Sequence, residues 1–211
     1  MSFKVRTFRP NGIVAVGPDQ FIHTNDGRGQ TGVPDLLEIA FKWKNGTVWY
    51  YDGKDFHKLV DKKAFANGIA YDIAKRKLFM TAYAEGTLEV YDLSENLLKA
   101  TEVSRTPLYS SCDNLFIHTD GSLFTGCHPV MHMLFQHVSD CSKKGSKAPS
   151  QILRIQFDNT YKNATITEVY SNDGSMIPAS TGGAVYRDKM LIGSVCNNLV
   201  QCDVKDPSSL L

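Results

Sequence analysis

One pattern constrains this chain more than any other: a faint repeat of 47 to 56 residues, each copy opening on an oxygen-bearing side chain. The copies read NGIVAVGPDQFIHTND from Asn11, NGIAYDIAKRKLFMTAY from Asn67 and NLFIHTDGSLFTGCHP from Asn114, the last preceded by Cys112 and Asp113. In each, a polar leader is followed by an apolar strand, a turn rich in Gly, Asp or Lys, and a second strand ending in small or polar residues. A period near 50 residues suits about four short strands, one blade of a β-propeller. A degenerate copy, GAVYRDKMLIGSVCNNLVQCDV, starts at Gly183 without a polar leader.

A propeller blade begins with its innermost strand, so residues opening successive blades form a ring around the channel. In such a ring Asn11, Asn67, Asp113 and Asn114 present amide and carboxylate oxygens to one point. That donor set suits calcium, a hard cation that takes several oxygen ligands at about 2.3–2.6 Å. A single Asn would be read as a turn residue, because its side chain bonds local backbone. Recurrence at matched positions is what argues for a shared role.

Composition removes several function classes. The 211 residues are 42% hydrophobic and 21% charged, the balance of one ordinary globular domain spanning 1–211. Lys plus Arg (23) nearly cancels Asp plus Glu (22), so no charge excess points to nucleic acid as a partner. No apolar run is long enough to span a bilayer, and MSFKVRTFRPNG has no apolar core of a signal peptide. Cys112, Cys127, Cys141, Cys196 and Cys202 are odd in number and include no metal-type CxxC pair.

Turn chemistry divides the rest into strands. Gly17-Pro18-Asp19-Gln20 and Asp52-Gly53 are hairpin signals. Leu36, Leu37, Ile39, Ala40 and Phe41 follow helical spacing, which predicts a helix over Pro34–Lys44 lying over the sheets. Its aromatics Phe41 and Trp43 are suited to packing, to walling an apolar pocket or to a membrane interface. No other helical period stands out: MHMLFQHVSD reads as strand and Asp140–Ser150 as a solvated loop, making the chain overwhelmingly β.

His128 closes the second strand of the repeat that begins at Asp113 and Asn114, which makes it the candidate pocket histidine. Cys127 beside it reads as a buried apolar side chain. His23, His57, His118, His132 and His137 lack metal-ligand spacing, and no Ser/His/Asp ordering marks a hydrolase triad. Calcium in the ring would polarise a carbonyl for attack by water, but no residue pair stands out as the base. Asn45-Gly46-Thr47 and Asn163-Ala164-Thr165 are glycosylation acceptors if the chain enters the secretory pathway.

The runs NGIVAVGPDQFIHTND, VWYYDGKDF, FANGIAYD, CDNLFIHTDGSLFTGCHP, QILRIQF and DKMLIGSV closely resemble, in order, the paraoxonase/arylesterase family of calcium-dependent esterases and lactonases. The resemblance implies a six-bladed propeller of which this chain supplies about four blades and one short covering helix. It places Asn11, Asn67, Asp113 and Asn114 on ligands of the catalytic calcium and His128 at the pocket. It also implies a small ester or lactone as substrate, membrane or lipoprotein contact through Phe41 and Trp43, and an extracellular or endoplasmic reticulum location.

The chain departs from the family pattern in three ways. A preceding segment that brings a carboxylate ligand and a histidine dyad has no counterpart, so the chain is expected to be a truncated form. Gly12 stands where the family has an Asp ligand of a structural calcium, and Gly27 where a His is frequent. The family's closing disulfide maps onto Cys202, with its partner in the missing segment. These departures leave a second expectation open: a non-catalytic propeller scaffold or assembly factor.

Overall fold

A computed structural model describes residues 9–28, 33–142, 145–196 and 199–204. The chain is all-β, made of four propeller-type blades with two short helices among the described residues. It clusters into two compact units, Met1–Arg105 and Thr106–Leu211.

The first unit opens with β1 (Pro10–Gly17), β2 (Gln20–Asn25), β3 (Gly46–Tyr51) and β4 (Phe56–Lys63), an antiparallel sheet in chain order. Its second sheet is β5 (Ala66–Asp72), β6 (Lys77–Ala82), β7 (Thr87–Leu93) and β8 (Ala100–Pro107). Alternation puts Ile22, Val48, Tyr50 and Val60 of the first sheet against Ile69, Leu78, Met80 and Tyr91 of the next. Each fully buried aliphatic side chain there contributes about 1.5–3 kcal/mol. The Asp52-Gly53 turn forms as predicted: Asp52 Oδ1 accepts from the N–H groups of Lys54 and Asp55, and Gly53 has φ +95°.

Helix α1 (Val33–Ala40) lies between β2 and β3, starting one residue before the predicted span and ending four residues earlier. Its anchor is polar. Glu38 is buried and accepts from the Arg28 N–H and from Asn45 Nδ2, while Leu37 is 42% and Phe41 65% exposed. Phe41 and Trp43 stack on each other, with ring centroids 5.9 Å apart.

The second unit holds β9 (Ser111–Ile117), β10 (Leu123–His128), β11 (Ser150–Phe157) and β12 (Ala164–Asn172) in one sheet. The other comprises β13 (Ser180–Tyr186), β14 (Lys189–Ser194) and β15 (Val200–Asp203). Phe124 and Ile152 pack on Val185, Met190 and Ile192 between the two.

Two expectations are corrected in this unit. Met131–Ser139 is a helix, α2, and not a strand. Met131, Leu134, Phe135 and Val138 lie at i, i+3, i+4 and i+7, and the helix buries Leu134 and His137 on one side. Cys127 is not a free apolar side chain: it is disulfide-bonded to Cys112, which the register sets directly opposite on β9. Cys141 pairs with Cys196, and among the described residues Cys202 is the free cysteine.

Candidate metal-binding bulges

Every predicted leader sits in a β-bulge. Pro10 pairs with Asn25 and Ile13 with His23, so Asn11 and Gly12 together face Thr24. Ala66 pairs with Ala82 and Ile69 with Met80, so Asn67 and Gly68 face Thr81. Cys112 pairs with Cys127 and Leu115 with Thr125, so Asp113 and Asn114 face Gly126. A bulge sets two residues against one and re-aims the inserted side chain out of the normal alternation. The repeat detected in sequence is therefore a repeated kink in the opening strand of three sheets.

The fourth sheet carries the same feature. Ser180 pairs with Ser194 and Gly182 with Gly193, which inserts Thr181. Reading the degenerate copy from Gly183 missed this leader. The signal was present as Ser180-Thr181-Gly182, a hydroxyl residue ahead of a glycine where the first two copies have Asn ahead of Gly.

Side-chain bonds fix the bulges of the first unit. The Gly12 N–H donates to Thr24 Oγ1 and the Gly68 N–H to Thr81 Oγ1, each at 2.8 Å. Thr24 Oγ1 also donates to the Asn67 carbonyl at 2.5 Å, joining the two bulges. A Cβ at Gly12 would lie 2.9 Å from that carbonyl oxygen, so β1 approaches β5 this closely only because residue 12 has no side chain. Asn11 Nδ2 donates to Asp26 Oδ2 at 2.9 Å, and Asp26 in turn accepts from Arg9 Nε at 2.6 Å.

In the second unit, Asn114 Nδ2 donates to the Thr181 carbonyl at 3.2 Å, linking the third and fourth bulges. A Cβ at Gly126 would collide with the backbone of Thr181 and Gly182. Asn11 and Asn114 thus spend their amide nitrogens on the protein, which orients each amide and leaves its oxygen for a ligand.

Asn67 supplies the test of fit. It is 4% exposed, and its Oδ1 is buried with no hydrogen-bond partner. A buried amide oxygen left unmade costs about 1–3 kcal/mol, and a hard cation is a natural partner for it. Among the described residues no three His, Cys, Asp or Glu side chains gather as a metal site, so a cation here would draw mainly on amide oxygens.

His128 ends β10 opposite Ser111, one pair beyond the Cys112–Cys127 bridge. It is buried and bonded to the Ala179 backbone; desolvation lowers its pKa to about 4 and outweighs that bond. The imidazole is neutral near pH 7 and weakly basic. Gly27 sits against Glu38: a Cβ there would collide with Glu38 Oε2, so a larger residue would displace the α1 anchor. A cavity of about 450 Å³ in the second unit lies between α2 and the loop after β12, where His137, Ser146, Lys147 and Met176 line it. Of the acceptor asparagines, Asn163 is exposed and bonded to Asp158 Oδ2, whereas Asn45 is half-buried against Glu38.

Comparison with known proteins agrees with this description. A solved luciferin-regenerating enzyme superposes with a TM-score of 0.58 at 14% identity, covering 90% of this chain and 55% of that one. A solved putative gluconolactonase gives 0.53 at 11% identity, covering 96% and 61%. At such identities the likeness concerns fold, and it defines the class: an all-β protein of propeller-type blades. The arylesterase family model matches residues 5–204, and the chain belongs to that family. Serum paraoxonase/arylesterase 2 of Gallus gallus is 30% identical over 92% of this chain and 53% of its own length. Mechanosensory abnormality protein 6 of Caenorhabditis elegans is 29% identical over 91% and 51%. The chain spans about half the length of these relatives.

Proposed function

We propose that the chain supplies calcium-holding strands of a hydrolase acting on aryl esters and lactones. The observation that carries this reading is the polar-led bulge repeated in successive sheets, with a buried, unpartnered Asn67 Oδ1 at one of them. Each unit offers its own oxygen donors to such an ion: Asn11 and Asn67 in the first, Asp113 and Asn114 in the second. Calcium, when bound, supplies Lewis-acid polarisation of the substrate carbonyl and stabilises the developing oxyanion. The chain's own contribution is orientation. Asp26 and the Thr181 carbonyl hold the amides of Asn11 and Asn114, and the threonine hydroxyls of β2 and β6 lock the neighbouring backbone. Neutral His128 is a polar wall rather than an efficient base at pH 7.

A second reading, a non-catalytic relative, rests on the suppressed basicity of His128 and on Gly12, which offers no oxygen to a second ion. The Caenorhabditis elegans relative's name does not describe a hydrolase. Calcium calorimetry beside hydrolysis of phenyl acetate and a simple lactone, with and without chelator, separates the two. Chelator-sensitive turnover supports the hydrolase; calcium binding without turnover supports the scaffold; absence of binding rejects the calcium site.

Two accessory roles belong to the same proposal. The exposed group of Leu36, Leu37, Phe41 and Trp43 suits contact with a membrane or lipoprotein surface, and the two disulfides support an extracellular or endoplasmic reticulum setting. Exposed Asn163 is the better placed glycan acceptor. Among the described residues no helix is long and apolar enough to cross a membrane.

A further inference from the structure

The first two bulges and the third are fastened by different means. Opposite Asn11-Gly12 and Asn67-Gly68 stands a threonine whose hydroxyl accepts from the glycine N–H and pins the kink. Opposite Asp113-Asn114 stands Gly126, which has no side chain to do this and, because β13 runs so close, has no room for one. The next pair along the strands is Cys112–Cys127, joined covalently and buried to 1% and 0% exposure. The disulfide thus takes the pair next to the bulge, held in the other two repeats by Pro10–Asn25 and Ala66–Ala82, and lies one residue along each strand from Asp113 and from the bare Gly126.

We infer that the Cys112–Cys127 disulfide is the positioning device of the third bulge, and that its reduction by a dithiol loosens Asp113 and Asn114 and weakens calcium binding. The inference deepens the calcium reading and rests on it. In the reductive step the S–S bond breaks, each cysteine sulfur takes one hydrogen, and the two sulfurs of the dithiol join to form its own disulfide. Linkage makes the coupling reciprocal: if the bridged form binds calcium more tightly, calcium makes the bridge harder to reduce by the same factor.

The test uses the full chain in three forms: oxidised wild type, a Cys112→Val/Cys127→Ala double variant and a Cys141→Ser/Cys196→Ser control. Two quantities are read, calcium affinity by calorimetry and backbone hydrogen exchange of residues 111–117 by mass spectrometry. Circular dichroism checks that each form keeps its sheets, and reversible reduction of wild type replaces any variant that does not. The expected result is roughly tenfold faster exchange in 111–117 and roughly tenfold weaker calcium binding on loss of Cys112–Cys127, with the control unchanged in both. Unchanged exchange in 111–117 overturns the inference whatever calcium does. Faster exchange with unchanged calcium affinity also overturns it, since the bridge would then be structural alone. Faster exchange in a protein that binds no calcium in any form sinks the calcium reading and supports the positioning role by itself.

Discussion

The two units build the same kink with opposite chemistry. In the first, the residue after the leader is glycine and the residue facing it is threonine, so a hydroxyl reaches across to the backbone. At the β9 bulge of the second, the residue after the leader is Asn114 and the residue facing it is glycine, so side-chain bulk has moved from the facing strand to the bulge itself. At these three bulges one partner carries a side chain and the other does not, and either strand is the bare one. The cost falls in different places: the first unit depends on hydrogen bonds, the second on close backbone packing and a disulfide.

Gly126→Ala breaks the second arrangement most severely. The added methyl collides with Thr181 and Gly182 backbone, which cannot rotate away, and the expected loss is more than about 3 kcal/mol in a denaturant titration. Gly12→Ala, the first-unit counterpart, meets the Asn67 carbonyl at 2.9 Å and Ile69 Cγ2 at 3.0 Å; its expected cost is smaller, about 2 kcal/mol. Equal losses at the two positions would erase the contrast.

Acid is expected to destabilise both units, the second more strongly. The folded pKa of His128 lies near 4, below the ordinary 6.5. Above pH 6.5 both states are neutral and the residue adds no pH dependence. As pH falls from 6.5 towards 4 the unfolded chain binds a proton that the folded chain refuses, and stability drops by roughly 3 kcal/mol. His23 of the first unit, also lowered by burial, acts in the same direction. His128→Gln is expected to flatten most of the melting-temperature slope between pH 4 and 6.5, while an unaltered slope would assign it to other groups. The mildest effect is expected at Thr81→Val, which keeps shape but removes the acceptor for the Gly68 N–H, costing about 1–2 kcal/mol by thermal melting.

The leaders were legible in the sequence because polar residues recur ahead of apolar strands, and Asn11, Asn67, Asp113 and Asn114 do open three of the four sheets. The bulges were not, since a bulge is a property of two strands in register and one strand's sequence does not report its partner's count. The Cys112–Cys127 bridge escaped for the same reason: a separation of 15 residues becomes direct opposition only once β9 and β10 are aligned. Helix α2 was misread because Met131-His132-Met133-Leu134 alternates like a strand over its first residues and shows a helical period only by Val138. Thr181 lies two residues before Gly183, outside a fourth copy that is started at that glycine.

Calcium titration of wild type against Asn67→Ala, by calorimetry with thermal melting in parallel, tests the central claim most directly. The account predicts that wild type binds calcium and that Asn67→Ala weakens binding by roughly tenfold or more, with only a modest change in melting in the absence of the ion. Calcium binding that is indifferent to Asn67→Ala, or a wild-type chain that binds none, would contradict it.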